Sequence, residues 1–134
     1  MQLYTVGLLV IKDKKLLLAF SNNKNCFYLP GGKIDRGETP KQALCREISE
    51  ELNVQIREDE LQYYAHITAP AYGETAGMIM EQDCFFVSTP VAPHPSSEIG
   101  VLKYFTSSTY QVEVKQAPGA VMIVEQLRKD GYID

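Results

Sequence analysis

The sequence predicts one α/β domain, on three observations. Its 134 residues suffice for one sizeable core and are too few for two. Short runs of apolar, β-branched and aromatic residues, broken by polar stretches, mark strands over much of the chain. Two segments instead repeat apolar residues at helical spacing, one in the middle and one near the end.

Taken in order, residues 4–11 and 15–20 are apolar-rich runs around Lys12, Asp13 and Lys14, the pattern of a β-hairpin. The polar residues 21–25 follow as a loop. Residues 26–29 form a short strand-like run that stops at Pro30, Gly31 and Gly32, where the glycines let the backbone approach a ligand closely. The helix start is well signalled: Thr39 suits the N-cap, Pro40 the first helical position, and Gln42 completes a capping box. Leu44, Ile48 and Leu52 then recur every four residues as an inward stripe, and Asn53 can take the left-handed conformation that closes a helix. These signals predict a helix over residues 40–52. Further strands are expected at 62–68, 78–87 and 101–106, a loop at 93–97, and a second helix over 120–129 that ends before Gly131.

Composition narrows the function classes. With a formal net charge of -4 the chain lacks the basic field that drives binding to a nucleic-acid polymer. The apolar share of 45% and charged share of 22% are ordinary for soluble globular proteins, so disorder and fibrous classes are disfavoured. Cys26, Cys45 and Cys84 form no CxxC pair, and His66 and His94 are the sole histidines, which argues against structural zinc. The cysteines read as small thiols in a reducing compartment. The first apolar stretch has no basic residue ahead of it and is interrupted by lysines well short of a membrane span, so a cytoplasmic protein without membrane attachment is expected.

The chemistry is concentrated in residues 32–54, GKIDRGETPKQALCREISEELNV. On the predicted helix Glu47, Glu50 and Glu51 stand at i, i+3 and i+4, which puts three carboxylates on one strongly acidic face. Like charges at this spacing weaken an isolated helix by about 0.2–0.5 kcal/mol per pair, and a bound divalent cation reverses the sign. Carboxylate oxygens suit hard cations, so Mg2+ is the first choice and Mn2+ the second. A pyrophosphate substrate, itself anionic, needs such a cation to approach the carboxylates. Arg46 can pair with a carboxylate of the cluster and fix its orientation. Glu38, just before the helix, suits its positive end and serves equally as a structural brace or as a metal ligand.

The spacing of Gly32, Glu38, Arg46, Glu47, Ile48, Glu50, Glu51 and Val54 resembles the Nudix box of the Nudix hydrolase family, with Asn53 standing where the family carries a final glycine. Leu29, Pro30 and Gly31 ahead of it, and the chain length, are similar to the smallest members. The resemblance implies an α/β/α sandwich with a mixed central sheet, spanning residues 1–134 as one Nudix hydrolase domain. It implies that Glu50 and Glu51 bind the metal, that Glu47 binds metal or acts as general base, and that the Gly31 carbonyl completes the coordination. Arg46 then orients the glutamates, with Glu47, Glu50 and Arg46 as the catalytic set, and Gly32 and Glu38 have structural or metal-binding roles. Lys33 either meets phosphate or faces solvent. Glu98 lies where family members often carry a loop glutamate that reaches the site, and is otherwise a surface charge.

Substrate identity lies outside the box. Pro70, sixteen residues after Val54, resembles a marker of ADP-ribose hydrolases, and Tyr72 one of dinucleoside polyphosphate hydrolases. Phe27, Tyr28 and Tyr72 stack a base or belong to the core. The short chain ranks a nucleoside triphosphate giving a monophosphate and pyrophosphate first, and an ADP-ribose or nucleotide-sugar substrate second. A non-catalytic nucleotide-sensing module on the same fold would have no need of the glutamate cluster, and an acidic protein-interaction domain with no small ligand would explain none of the motif spacing. The expected partner is a small nucleotide, the chain being a monomer or a homodimer.

Overall fold

The structure, a computed structural model, describes residues 1–94 and 99–134. Eight strands form two four-stranded sheets. The first has the order β5 (Gly31–Lys33), β1 (Gln2–Leu9), β7 (Ile79–Val87), β6 (Leu61–Pro70) and is mixed: β1 and β7 run parallel, while β5 and β6 are antiparallel to their neighbours. In the second, β2 (Ile11–Lys12), β4 (Cys26–Tyr28) and β8 (Ile99–Phe105) all pair antiparallel with β3 (Lys15–Ser21). Among the described residues three α-helices, α1 (Pro40–Leu52), α2 (Ser107–Gln111) and α3 (Pro118–Lys129), and a short 3-10 turn over Glu58–Glu60 complete the fold.

Alternation along the strands divides the core in two. Val6, Leu8 and Val10 pack against Ala43, Leu44, Ile48 and Leu52 of α1. Leu9, with Ala65, Ile67 and Ala69 of β6 and Cys84 of β7, packs against Ala120, Ile123, Val124 and Leu127 of α3. Because successive strand residues face opposite ways, one sheet serves both helices, giving the helix–sheet–helix sandwich. Among the described residues no helix is long and apolar enough to cross a membrane.

α1 starts and stops where the sequence places it. Thr39 accepts from the Gln42 amide at 3.2 Å, the Gln42 side chain accepts from Thr39 N at 3.0 Å, and Asn53 closes the helix at φ 56°. The expected hairpin differs. β1 pairs with β5 and β7, so only Ile11 and Lys12 turn back on β3, through Asp13 and Lys14, both at positive φ. Asp13 and Lys14 in a two-residue turn match the twist of the flanking strands. Gly31 and Gly32, expected to break the preceding strand, begin a new one over Gly31–Lys33 because β1 supplies its pairing partners. α2 was not expected either; it places the buried Tyr110, whose hydroxyl donates to the Phe27 carbonyl at 3.0 Å and accepts from Ala117 N at 3.2 Å. That bond helps fix the start of α3, which has no side-chain N-cap and begins at Pro118 rather than 120.

On the α1 side of the sheet, beyond the helix, His66 of β6 bridges two acids of β7. Its Nδ1 lies 2.8 Å from Asp83 and its Nε2 2.7 Å from Glu81, which also accepts from Thr68. The hydrogen bonds to Asp83 and then Glu81 raise the imidazole above its ordinary value. A raised histidine stabilises the fold fully below its unfolded pKa, near 6.5, and loses that contribution as pH rises through the folded value. The Tm difference between the wild type and His66→Gln is therefore expected to be largest near pH 6 and to shrink steadily as pH rises above the ordinary imidazole range. A difference that grows with pH would contradict the bridge.

Candidate active site

The Gly31–Lys33 strand and α1 build one end of the site together. Gly31 sits at φ 148°, and a Cβ there would fall 2.0 Å from the Val6 carbonyl oxygen, so only glycine fits. A Cβ on Gly32 would meet the Glu47 carboxylate at 2.4 Å. The bare Gly31 lets the strand lie close on β1, and the bare Gly32 lets α1 bring the Glu47 carboxylate against the strand. Glu51 accepts from the Gly31 amide at 2.9 Å and from the Tyr28 hydroxyl at 3.1 Å. Burial, and then Glu51, push the Tyr28 phenol far above its ordinary range, so it remains a donor.

Arg46 sits at the centre of the acids. Its Nε and Nη2 hold Glu38 as a two-pronged fork at 2.8 and 2.9 Å, Nη1 donates to Glu47 at 2.8 Å, and Nη2 donates to the Lys33 carbonyl at 3.0 Å. Glu50 lies 3.4 Å from Nη1 and Asp35 3.3 Å from Nη2. The Arg46 hydrogen bonds, then the Asp35 amide, hold the Glu38 carboxyl below its usual range. Glu47 behaves oppositely: its side chain is 17% exposed, and burial pushes its carboxyl up against the lowering effect of Arg46.

The expected face of three carboxylates is therefore divided. Glu47 and Glu51 line a cleft of about 370 Å3 together with Gly31, Gly32 and Lys33, whereas the Glu50 side chain is 60% exposed and is not part of that lining. Glu38 is turned to Arg46, with both oxygens engaged. Glu98 lies outside the described residues. Among the described residues no three Asp, Glu, His or Cys side chains form a ready metal cage. The donor set nonetheless fits a hard divalent cation, since Glu47 is a carboxylate short of water beside a second carboxylate, and Mg2+ takes one or two carboxylates and keeps several waters.

Several cleft residues were not singled out from the sequence. Lys24 and Lys33 both reach Glu74, on the loop after β6, at 3.6 and 3.7 Å. The floor is formed by Thr5, Met80 and Gln82, and the start of α3 forms another wall. These residues come from distant parts of the chain, and the one local signal is Gln82, a polar residue sharing strand parity with Met80, Cys84 and Phe86. Of the aromatic residues considered for a base, Tyr28 and Tyr72 line the cleft, while Phe27 stacks edge-on against Phe20 and Phe105 in the core. Cys26 and Cys84 are buried, and all three thiols are free.

A family profile, NUDIX domain, matches residues 1–120. The chain belongs to the Nudix family. Among solved structures, the MutT NUDIX hydrolase from Burkholderia pseudomallei is similar with a TM-score of 0.74 and 20% identity, covering 95% of this chain and 98% of that one. A bifunctional NMN adenylyltransferase/ADP ribose pyrophosphatase from Francisella tularensis, complexed with AMP and a Mn ion, is similar with a TM-score of 0.69 and 20% identity over 97% of this chain and 42% of that one. Both likenesses concern the fold. An ADP-ribose pyrophosphatase from Methanocaldococcus jannaschii is 48% identical over 46 residues, which are 32% of this Nudix chain and 27% of that protein.

Proposed function

We propose that this Nudix protein is a divalent-metal-dependent pyrophosphohydrolase acting on a nucleoside diphosphate linked to a further group. The observation that carries the reading is the placement of Glu47 and Glu51 beside Gly31 and Gly32 at one end of a nucleotide-sized cleft. Glu50, Glu51 and the Gly31 carbonyl would hold the cation, Mg2+ first and Mn2+ second, which leaves Glu47 as the base. When bound, it neutralises pyrophosphate charge and makes water a better nucleophile.

The chain's own groups supply the rest. Glu47 accepts the proton of the water that attacks phosphorus, the bridging P–O bond breaks, and the phosphate-bearing fragment leaves with the bond electrons. Burial suits Glu47 to this task, because a carboxylate with a raised pKa is a stronger base than a solvated one. Arg46 holds Glu47 in place, the Gly31 amide and Tyr28 hydroxyl hold Glu51, and Lys33 and Lys24 meet the phosphates in exchange for Glu74.

A nucleoside triphosphate yielding a monophosphate and pyrophosphate is the first substrate class, because the two lysines at the mouth offer positive charge to a terminal phosphate. ADP-ribose or a nucleotide sugar is the second, favoured by the short but close match to the archaeal ADP-ribose pyrophosphatase. The test is product release from a panel of nucleoside triphosphates, ADP-ribose, nucleotide sugars and dinucleoside polyphosphates, with Mg2+, with Mn2+ and with chelator. Cation-dependent cleavage of one class is expected. No cleavage by folded protein would leave a nucleotide-sensing module instead.

A further inference from the structure

On the α3 side of the sheet the cleft is also lined by Leu3, Tyr28, Leu29, Tyr72, Met80 and Pro118, which make it in part an apolar chamber. The side-chain amide of Gln82, which has both a donor and an acceptor on a residue only 8% exposed, lies among them. Its Nε2 has no hydrogen-bond partner among the described residues, and its Oε1 has only the Cys84 thiol at 3.8 Å, a weak donor. Space for this amide depends on Gly7: a Cβ there would lie 2.7 Å from the Leu29 side chain and 3.2 Å from Gln82 Nε2. The neighbouring Thr5 hydroxyl donates to the Glu81 carbonyl at 3.4 Å, so its proton is already directed at the backbone. The amide therefore faces the cleft with a free donor and an acceptor that has only a weak partner, so a ligand there can complete it in place of solvent.

We propose that this chamber receives the nucleobase and that Gln82 selects adenine. The inference rests on the pyrophosphohydrolase reading for the position of the phosphates, and names the base that such a substrate carries. An amide presents one acceptor and one donor side by side. Adenine presents the complementary pair, N6–H with N1 or N7, and one amide satisfies that edge. Guanine adds a second N–H donor, and cytosine and uracil add a further carbonyl, each of which would be buried against Leu29, Met80 and Pro118 without a partner. The aromatic faces of Tyr28 and Tyr72 suit a planar ring but do not distinguish one base from another. Discrimination falls to Gln82.

The experiment compares dissociation constants for AMP, GMP, CMP and UMP in the presence of Mg2+, by calorimetry. Monophosphates contain no pyrophosphate bond, so the readout is independent of turnover. The wild type is expected to bind AMP about ten-fold or more tightly than the other three. Gln82→Glu offers two acceptors in place of an acceptor and a donor, which matches the N1–H and N2–H pair of guanine, so its preference should move to GMP. Gln82→Met keeps length and volume without polar atoms, tolerates burial, and should lose the AMP preference. Equal binding of the four nucleotides by the wild type, no binding of any of them, or an AMP preference that persists in Gln82→Met would overturn the proposal. Selective AMP binding together with no hydrolysis in the substrate panel would leave the base assignment standing and remove the catalytic reading alone.

Discussion

Glu47→Gln is expected to lower kcat/KM by about 10²-fold or more, a loss of roughly 2.7 kcal/mol or more of transition-state stabilisation, with little change in Tm. Both halves of this expectation come from one feature of the site. The carboxylate is packed between Gly32 and Arg46, where burial raises its pKa. A buried carboxylate is a better base and also a cost to the fold. Glutamine keeps the shape and an oxygen that still accepts from Arg46 Nη1, so packing survives while the base is gone. Glu50→Gln removes a carboxylate that is mostly in solvent and lies 3.4 Å from Arg46, and a smaller loss is expected there. Steady-state kinetics on any cleaved nucleotide, beside thermal melts of the three proteins, measure both quantities. Equal turnover by the two variants would sink the assignment of Glu47 as base.

The parts of the fold legible in the sequence are those fixed by local chemistry. α1 was predicted at its observed bounds because Thr39, Pro40, Gln42 and Asn53 encode its ends through contacts within four residues, and Leu44, Ile48 and Leu52 encode its buried stripe. β5 was missed because Gly31 and Gly32 have poor strand propensity, and the register Val6↔Gly32 and Gly7↔Gly31 is a tertiary fact. The first hairpin was misread for a related reason. Hydrophobic patterning runs unbroken from Tyr4 to Ile11, but nothing in it marks Val10 as the place where the chain passes from one sheet to the other.

The same distinction applies to the site. Arg46, Glu47, Glu50 and Glu51 were found because a helix sets their spacing, yet helical spacing did not reveal that Glu50 turns to solvent while Glu47 and Glu51 face the cleft. The sequence drew attention to the Gly31 carbonyl, whereas the contact the fold makes at this residue is through its amide, which donates to Glu51. Gln82, Thr5, Lys24 and Glu74 meet only after β1, β7, the loop between β3 and β4 and the loop beyond β6 are assembled, so no window of sequence contains them together.

Arg46→Ala should have the largest effect on the fold among changes at the site, about 2–3 kcal/mol, because charge-assisted hydrogen bonds are the strong ones and this guanidinium makes four of them or their near equivalents at once. Its side chain is 28% exposed, so solvent can replace it only in part. Removing it leaves Glu38, Glu47, Glu50 and Asp35 clustered without their shared cation. It also frees the Lys33 carbonyl, and with it one of the links between β5 and α1, beside the Gly31 amide to Glu51, that hold Glu47 in position. Two measurements should therefore move together: the denaturant midpoint falls, and the Mg2+ concentration for half-maximal activity rises by about 10–100-fold, the usual effect of losing a group that orients metal ligands. Arg46→Lys separates charge from geometry. One ammonium restores a positive charge but cannot hold the two Glu38 oxygens as a fork while also reaching Glu47 and the Lys33 carbonyl, so it should recover only a minor part of either quantity. Full recovery by lysine would mean that net charge, rather than the planar fork, organises the glutamates, and Arg46 would then act as a counter-ion with no role in aiming Glu47.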